Sequence, residues 1–432
     1  MWLRETLDEP IGTRDGAAVT ITSDPVGHSA LDIGRWPDLA PPSRAPMRAA
    51  VARTLLRRVA ARAAIRVALP DGTSFGPANA PTMRIYRPQD FFNRLGRFGK
   101  IGFGESFMAG DWDSSQLVEV LTQIARSVSV IVPASLQRLR RLYDASFPKD
   151  EDNDRVGARR NIARHYDLSN QLFAAFLDES MTYSSALFDD LAEPLHTAQC
   201  RKVERLLDVT HVGPGSRVLE IGTGWGELAL RAARRGAHVT TLTLSAEQAA
   251  LARNRIREAG FADRVDIRVQ DYRDVSGHYD AVVSVEMIEA VGEGWWPTYF
   301  RVLDQRLAPG GFVGLQAILL PHRRMMASKD SWTWIHKYIF PGGLIPSEQA
   351  IEDSVAGHTS LSIVDRLHFG TSYAETLKRW RERFDSNAEL IASIGFDEAF
   401  RRMWRFYLAY CEGGFRAGYL DVGQFVLARP TS

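Results

Sequence analysis

The sequence predicts an α/β protein: a parallel-type sheet with helices on both faces, preceded by a small α+β domain. Three observations predict this. From about residue 200 onward, strands and helices alternate. The first of those strands runs straight into a glycine-rich turn. Upstream lie a basic helical stretch, a region of short apolar runs broken by glycines, and a charged segment with no apolar residue. The chain has 432 residues, 45% hydrophobic and 24% charged, enough for a large core and two domains.

Residues 1–46 are rich in Pro, Gly, Asp and Thr without periodicity and are expected to form a loosely held arm. Between Pro41 and Pro70 stand Arg44, Arg48, Arg53, Arg57, Arg58, Arg62 and Arg66, with no acid among them. Val51, Leu55, Leu56, Val59 and Ile65 recur between them at helical spacing. This is a basic amphipathic helix, whose apolar stripe either packs in the core or meets anionic lipid headgroups. Residues 73–125 read as a small mixed domain and 114–145 as helical, so 47–145 is expected to be a lipid-docking domain. Pro148–Arg155 is the best linker, within 146–156, and 157–432 forms the larger domain.

In the larger domain, strands are expected at 217–221, 238–243, 265–269, 281–285 and 312–319, with helices at 227–235 and 246–258. Such alternation implies a parallel sheet covered on both faces, with ligands beyond the carboxyl ends of its strands.

The bulk composition limits the function. A net charge of +1 gives no argument for nucleic acid. Two cysteines, Cys200 and Cys411, allow no disulfide framework and suit a reducing cytoplasm. The N-terminus does not read as a signal peptide. No stretch of about 20 apolar residues is present to span a bilayer, so membrane contact is expected to be peripheral.

The glycine turn is Glu220-Ile-Gly222-Thr-Gly224-Trp-Gly226, spaced G-x-G-x-G. A dinucleotide site needs G-x-G-x-x-G to seat a pyrophosphate on the helix N-terminus. The tighter turn, with Glu220 before it, suits S-adenosylmethionine, which has no phosphate but carries an ammonium group. The acid that a dehydrogenase wants after its second strand is missing, and Thr243, Leu244 and Gln248 stand there instead. Thr243 and Gln248 are candidates for the ribose hydroxyls, and Asp271 and Tyr272 for the adenine. A nicotinamide oxidoreductase is the alternative enzyme on such a sheet, and a non-catalytic lipid-binding protein the alternative outside enzymes.

Five spaced segments carry a family resemblance. They are Arg164-His-Tyr-Asp-Leu-Ser-Asn170, Phe176-Leu-Asp-Glu-Ser-Met-Thr-Tyr-Ser-Ser185, Ser284-Val-Glu-Met-Ile-Glu-Ala-Val-Gly292, Lys337–Ser347 and Met403–Arg416. Together they resemble the cyclopropane-fatty-acyl-phospholipid synthases, over roughly residues 75 to 428. Val285–Gly292 and Leu315–Ile318 look like the actinobacterial branch that makes 10-methylene or 10-methyl (tuberculostearic-type) fatty acids. The resemblance implies a Rossmann-like class I methyltransferase fold with a seven-stranded sheet. It also implies S-adenosylmethionine held by Tyr166, Tyr183, Ser184 and Glu286 with the turn residues, and a substrate that is an unsaturated phospholipid. A homodimer would suit the family.

Methyl transfer to an isolated double bond creates a carbocation, which water would trap. Aromatic faces stabilise such charge, and Trp332, Trp334, Tyr338, Phe340, Trp404, Phe406, Tyr407 and Tyr410 are candidates. A base must then take a proton. The resemblance implies a bicarbonate ion in a cradle made here by Ser185, Glu289, Gln316, the Ile318 backbone and Tyr373. Ser185 and Gln316 replace the family's cysteine and histidine. Glu179 stands where typical members have proline, and is a second candidate for steadying the cation or taking the proton. Glu179 in place of proline, Gln316 in place of histidine and Ala290 after Glu289 favour a 10-methylene product over cyclopropane, with a separate reductase completing the 10-methyl group.

Overall fold

The computed structural model describes residues 31–131, 153–155, 157–158 and 169–430. Most of the proposed arm, the helical reading past 131, most of the linker and Tyr166 lie outside those residues. The N-terminal unit is a four-stranded sheet of β1 (Arg66–Ala68), β2 (Ser74–Phe75), β3 (Thr82–Ile85) and β4 (Trp112–Asp113), in the order β2-β1-β3-β4. Helices Pro46–Arg62, Pro88–Met108 and Leu117–Ile131 accompany it. The second of these is broken at Gly99, whose φ of 54° is left-handed, a conformation glycine adopts at little cost.

Next comes a seven-stranded sheet of β5 (Arg217–Ile221), β6 (His238–Thr243), β7 (Val265–Val269), β8 (Tyr279–Val285), β9 (Leu307–Leu319), β10 (Ser362–His368) and β11 (Asp421–Ala428). Its order is β10-β11-β9-β8-β5-β6-β7. The pairs from β9 to β7 are parallel, whereas β11 runs antiparallel to both β9 and β10. Residues Val218–Ile221 are all buried, as a central strand covered on both faces requires. The chain leaves β5 toward β6 and β7, then returns to β8 on the other side. That reversal opens a crevice at the carboxyl end of β5. The helix after β6, Ala246–Glu258, starts where the Ser245 side chain accepts a hydrogen bond from the Gln248 backbone.

Buried charge joins the two units. Arg402, on the helix Glu398–Arg416, donates to the carbonyls of Phe107 and Trp112 and to Asp113 Oδ2, at 2.7, 3.1 and 2.8 Å. Buried Glu105 accepts from Lys337 and from Tyr338 Oη at 2.5 and 2.9 Å. A Cβ at Gly104 would lie 2.4 Å from Trp334 Cδ1, so only glycine lets that indole seat against the helix. Three of the proposed cation-facing aromatics are therefore spent here: Trp334 and Phe406 pack together at 4.9 Å between ring centres, and Tyr338 serves Glu105.

Two expectations need correction. Residues 31–45 are not a loose arm: Leu31 and Leu39 are buried, and Arg94 donates to the carbonyls of Asp38, Leu39 and Ala40. On the basic helix, the apolar residues do not form one buried stripe. Leu56 is buried with Ala52 and Ala60, while Met47, Val51 and Leu55 face outward, 83, 58 and 50% exposed.

Candidate cofactor and proton-transfer site

The crevice beyond β5 is a cavity lined by the glycine turn, β6, the loop after β7 and the end of β8. Tyr183, Ser184, Glu220, Gly222, Gly224, Thr243, Leu244, Gln248, Asp271, Tyr272 and Glu286 all reach it. Gly226 stands just behind, where a Cβ would come 3.1 Å from that of Ala252 on the neighbouring helix. Gly224 has a φ of 50° and open space where a side chain would stand, so its backbone lies bare to a ligand.

The polar groups fit S-adenosylmethionine. Thr243 and Gln248 side chains bond each other at 3.0 Å at the tip of β6, where ribose hydroxyls can join them. Asp271 is clamped by Arg273 at 2.6 and 2.8 Å. Burial acts to raise its pKa, but the Arg273 hydrogen bonds and charge outweigh that and hold the carboxyl below its usual range. Tyr272 Oη is buried in the cavity wall with no partner among the described residues, an open donor for a ligand. Burial pushes Glu220 up to about 8, against the opposing effect of its 2.5 Å bond from Thr241 and the charge of Lys202. Burial likewise lowers Lys202 to about 8, although Glu286 and other acids act to raise it. Its ammonium donates to Ser184 Oγ at 2.7 Å.

Glu286 forms the hub of a second polar cluster at one end of the cavity. Its Oε1 accepts from the Ser185 backbone at 2.9 Å and from Gln316 Nε2 at 2.8 Å; its Oε2 accepts from Tyr373 Oη at 2.8 Å. A chain of side chains fixes the direction of these bonds. Arg205 can only donate, and does so to Gln424 Oε1 at 2.8 Å. Gln424 Nε2 then donates to Gln316 Oε1 at 3.0 Å, which turns Gln316 Nε2 toward Glu286. Glu289 takes the remaining donor, the Ile318 backbone N–H, at 2.5 Å on Oε1. Its Oε2 is buried without a partner among the described residues. Burial and then the charge of Glu286 push Glu289 up to about 8, so it keeps its proton at neutral pH.

The structure brings together Ser185, Glu286, Glu289, Gln316, Ile318 and Tyr373. Two expectations fail. Glu179 does not join them: its side chain is 77% exposed and it is not in the cavity wall. It sits next to Asp178, which accepts from the Ser180 backbone and hydroxyl and whose carbonyl takes the Met181 N–H, so residue 179 is the outer corner of a tight turn. Bicarbonate does not fit either, because the four donors implied for it are taken by Glu286 and Glu289. The Ser185 hydroxyl turns away to the Ala186 carbonyl. Of the aromatic candidates, Tyr407 reaches the cavity side, bonding Tyr183 Oη at 2.8 Å, with Trp404 and Phe340 rings 5.4 and 5.8 Å from it. Tyr410 is half-exposed.

Lys202 and Gln424 are parts of the site that the sequence reading missed. A signal existed for the first: Gln199 and Lys202 fall on the apolar face of the helix Leu195–Val209, beside Ala198, Val203 and Leu206.

Comparison with known proteins agrees with this geometry. Residues 153–425 match the family model described as mycolic acid cyclopropane synthetase. The chain is 54% identical, over 95% of its length and 99% of the relative's, to the tuberculostearic acid methyltransferase UfaA1 of Mycobacterium tuberculosis. It is 36% identical, over 80% of its length and 87% of the relative's, to the cyclopropane-fatty-acyl-phospholipid synthase of Escherichia coli. Among solved structures it resembles the cyclopropane synthase MmaA2 of M. tuberculosis, with a TM-score of 0.59 at 30% identity, covering 62% of this chain and 98% of that one. It also resembles the mycolic acid cyclopropane synthase CmaA1 complexed with SAH and CTAB, with a TM-score of 0.58 at 26% identity, covering 62% and 97%. The chain belongs to the mycolic acid cyclopropane synthetase family and is an S-adenosylmethionine-dependent methyltransferase.

Proposed function

We propose that this methyltransferase acts on the cis double bond of an oleoyl-type phospholipid chain and makes a 10-methylene acyl group, which a separate reductase converts to 10-methyl. The observation that carries the reading is the pairing of a cofactor cavity with a buried carboxylate cluster at its end. The 54% identity to a protein named for tuberculostearic acid supports this product over cyclopropane.

Bound in the cavity, S-adenosylmethionine supplies an electrophilic methyl group. The π electrons of the double bond would form the new bond to that methyl carbon as its bond to sulfur breaks, S-adenosylhomocysteine being the leaving group, and a cation remains on the neighbouring acyl carbon. A hydride shift moves the cation to the methylated carbon, and loss of a proton from the new methyl group gives the exocyclic methylene. The protein's work is to hold both partners, exclude water and receive that proton. Tyr183 lines the cavity, with the Trp380 ring 5.2 Å from its own and the Tyr407 hydroxyl 2.8 Å from its hydroxyl, and aromatic faces of this group stabilise the cation. Their contributions are about 0.5–2 kcal/mol each.

The substrate lies in a bilayer, yet no helix among the described residues is long and apolar enough to cross one. Met47, Val51 and Leu55 recur every four residues on the outer face of the basic helix, between Arg44, Arg48 and Arg58. This face suits an anionic lipid surface, with the apolar side chains entering it and each arginine near it contributing about 1 kcal/mol. The reading places the chain peripherally on the cytoplasmic side of the membrane.

Gas chromatography with mass detection, on lipids of an expressing host fed oleate, tests the product. A 10-methylene C19 chain is expected; cyclopropane alone would overturn the product assignment. Cofactor binding should respond to pH. A cationic ligand favours ionised Glu220 and neutral Lys202, both of which titrate near 8, so binding releases protons. Affinity for S-adenosylmethionine should therefore rise by up to about tenfold per group per unit from pH 6.5 toward 8. Calorimetry in buffers of different ionisation enthalpy reads this directly, and a pH-independent affinity would contradict it. Sedimentation with anionic liposomes should carry the protein down at low salt and release it at high salt. The double change Val51→Asp and Leu55→Asp should weaken it; equal binding to neutral vesicles would count against the docking face.

A further inference from the structure

We propose that Glu286 is the base that takes the proton from the methylated acyl chain, standing where the family resemblance implied an external bicarbonate. The inference rests on the methyl-transfer reading above. Its ground is a disagreement between that resemblance and the structure: the cradle for an anion is present, but the chain's own carboxylate fills it. Ser185 N–H, Gln316 Nε2 and Tyr373 Oη all converge on Glu286, and Ile318 N–H is held by Glu289.

Three features suit Glu286 to the role. It lines the cofactor cavity. Its Oε1 faces two N–H groups that cannot accept, so an incoming proton must go to Oε2, where the Tyr373 hydroxyl can turn to accept in its place. Burial also raises its pKa, although the Ser185, Gln316 and Tyr373 bonds and the Lys202 charge oppose this, so it is a stronger base than an exposed carboxylate. Glu289, which keeps its proton, does not compete. The step balances: the C–H electron pair of the new methyl group forms the C=C bond to the cationic carbon, and the proton bonds to Oε2, to be lost to solvent after product leaves.

The backbone makes the point independently. Glu286 has a φ of 52°, in the left-handed region that disfavours side chains with a Cβ. A glycine would relieve that strain, and the glutamate stays because its carboxylate is used.

The test compares wild type, Glu286→Gln and Glu286→Gly in carbon-dioxide-depleted buffer and with added bicarbonate, with melting temperature and S-adenosylmethionine affinity measured for each. Wild-type turnover should not respond to bicarbonate. Glu286→Gln should bind cofactor within a few-fold of wild type yet turn over about 100-fold or more slowly. Glu286→Gly, relaxed at its backbone and with the cradle emptied, should fold and regain turnover as bicarbonate is added. A bicarbonate requirement in wild type, near-normal turnover of Glu286→Gln, or a folded, cofactor-binding Glu286→Gly that bicarbonate leaves inactive would overturn the proposal. A wild-type enzyme that methylates no unsaturated acyl chain would instead overturn the functional reading beneath it.

Discussion

One partly buried carboxylate, that of Glu286, governs the arrangement of this site. Glu286 is partly buried at the cavity end, and drawing a carboxylate out of water without compensation costs several kcal/mol. The fold compensates with three direct hydrogen bonds and with Lys202 nearby. Those donors come from distant parts of the chain: the loop before the helix Leu195–Val209, strand β9 and the helix Gly370–Ser386. Satisfying one carboxylate therefore ties the region before the sheet, the sheet itself and the C-terminal helices to a single geometry.

The antiparallel end of the sheet gains its purpose from the same charge. Strand β11 puts Gln424 opposite Gln316 in the ladder, and Arg205 reaches Gln424 from the helix Leu195–Val209. Because an arginine only donates, the whole relay has one direction, and Gln316 presents an N–H to Glu286. A histidine at 316 could carry charge or change tautomer. Glutamine does neither, which suits a neighbour that already bears the negative charge.

Much of the fold was legible in the sequence because burial writes itself into periodicity. The expected bounds of β5, β6 and β7 and of the helix 246–258 are the ones the structure has. Strand β9 was read too short, since Leu307–Gly311 carries Pro309 and two glycines and looks like a turn. The site was legible as a set of residues but not as a set of bonds. Glu179 looked like a newcomer beside the reacting groups, whereas it is the outer corner of a turn, a position that suits proline or any polar residue. Glu286 read as a cofactor contact, because nothing local reveals that three remote donors converge on it. Gln424 had no motif at all; its meaning comes only from the register of β11 on β9.

A high-resolution crystal structure of the S-adenosylhomocysteine complex, grown in bicarbonate, tests the central claim most directly. The account predicts continuous side-chain density for Glu286 in the cradle, bonded to Ser185, Gln316 and Tyr373, with no separate ion there. A planar three-oxygen ion on those donors, with Glu286 swung out of the cradle, would contradict it.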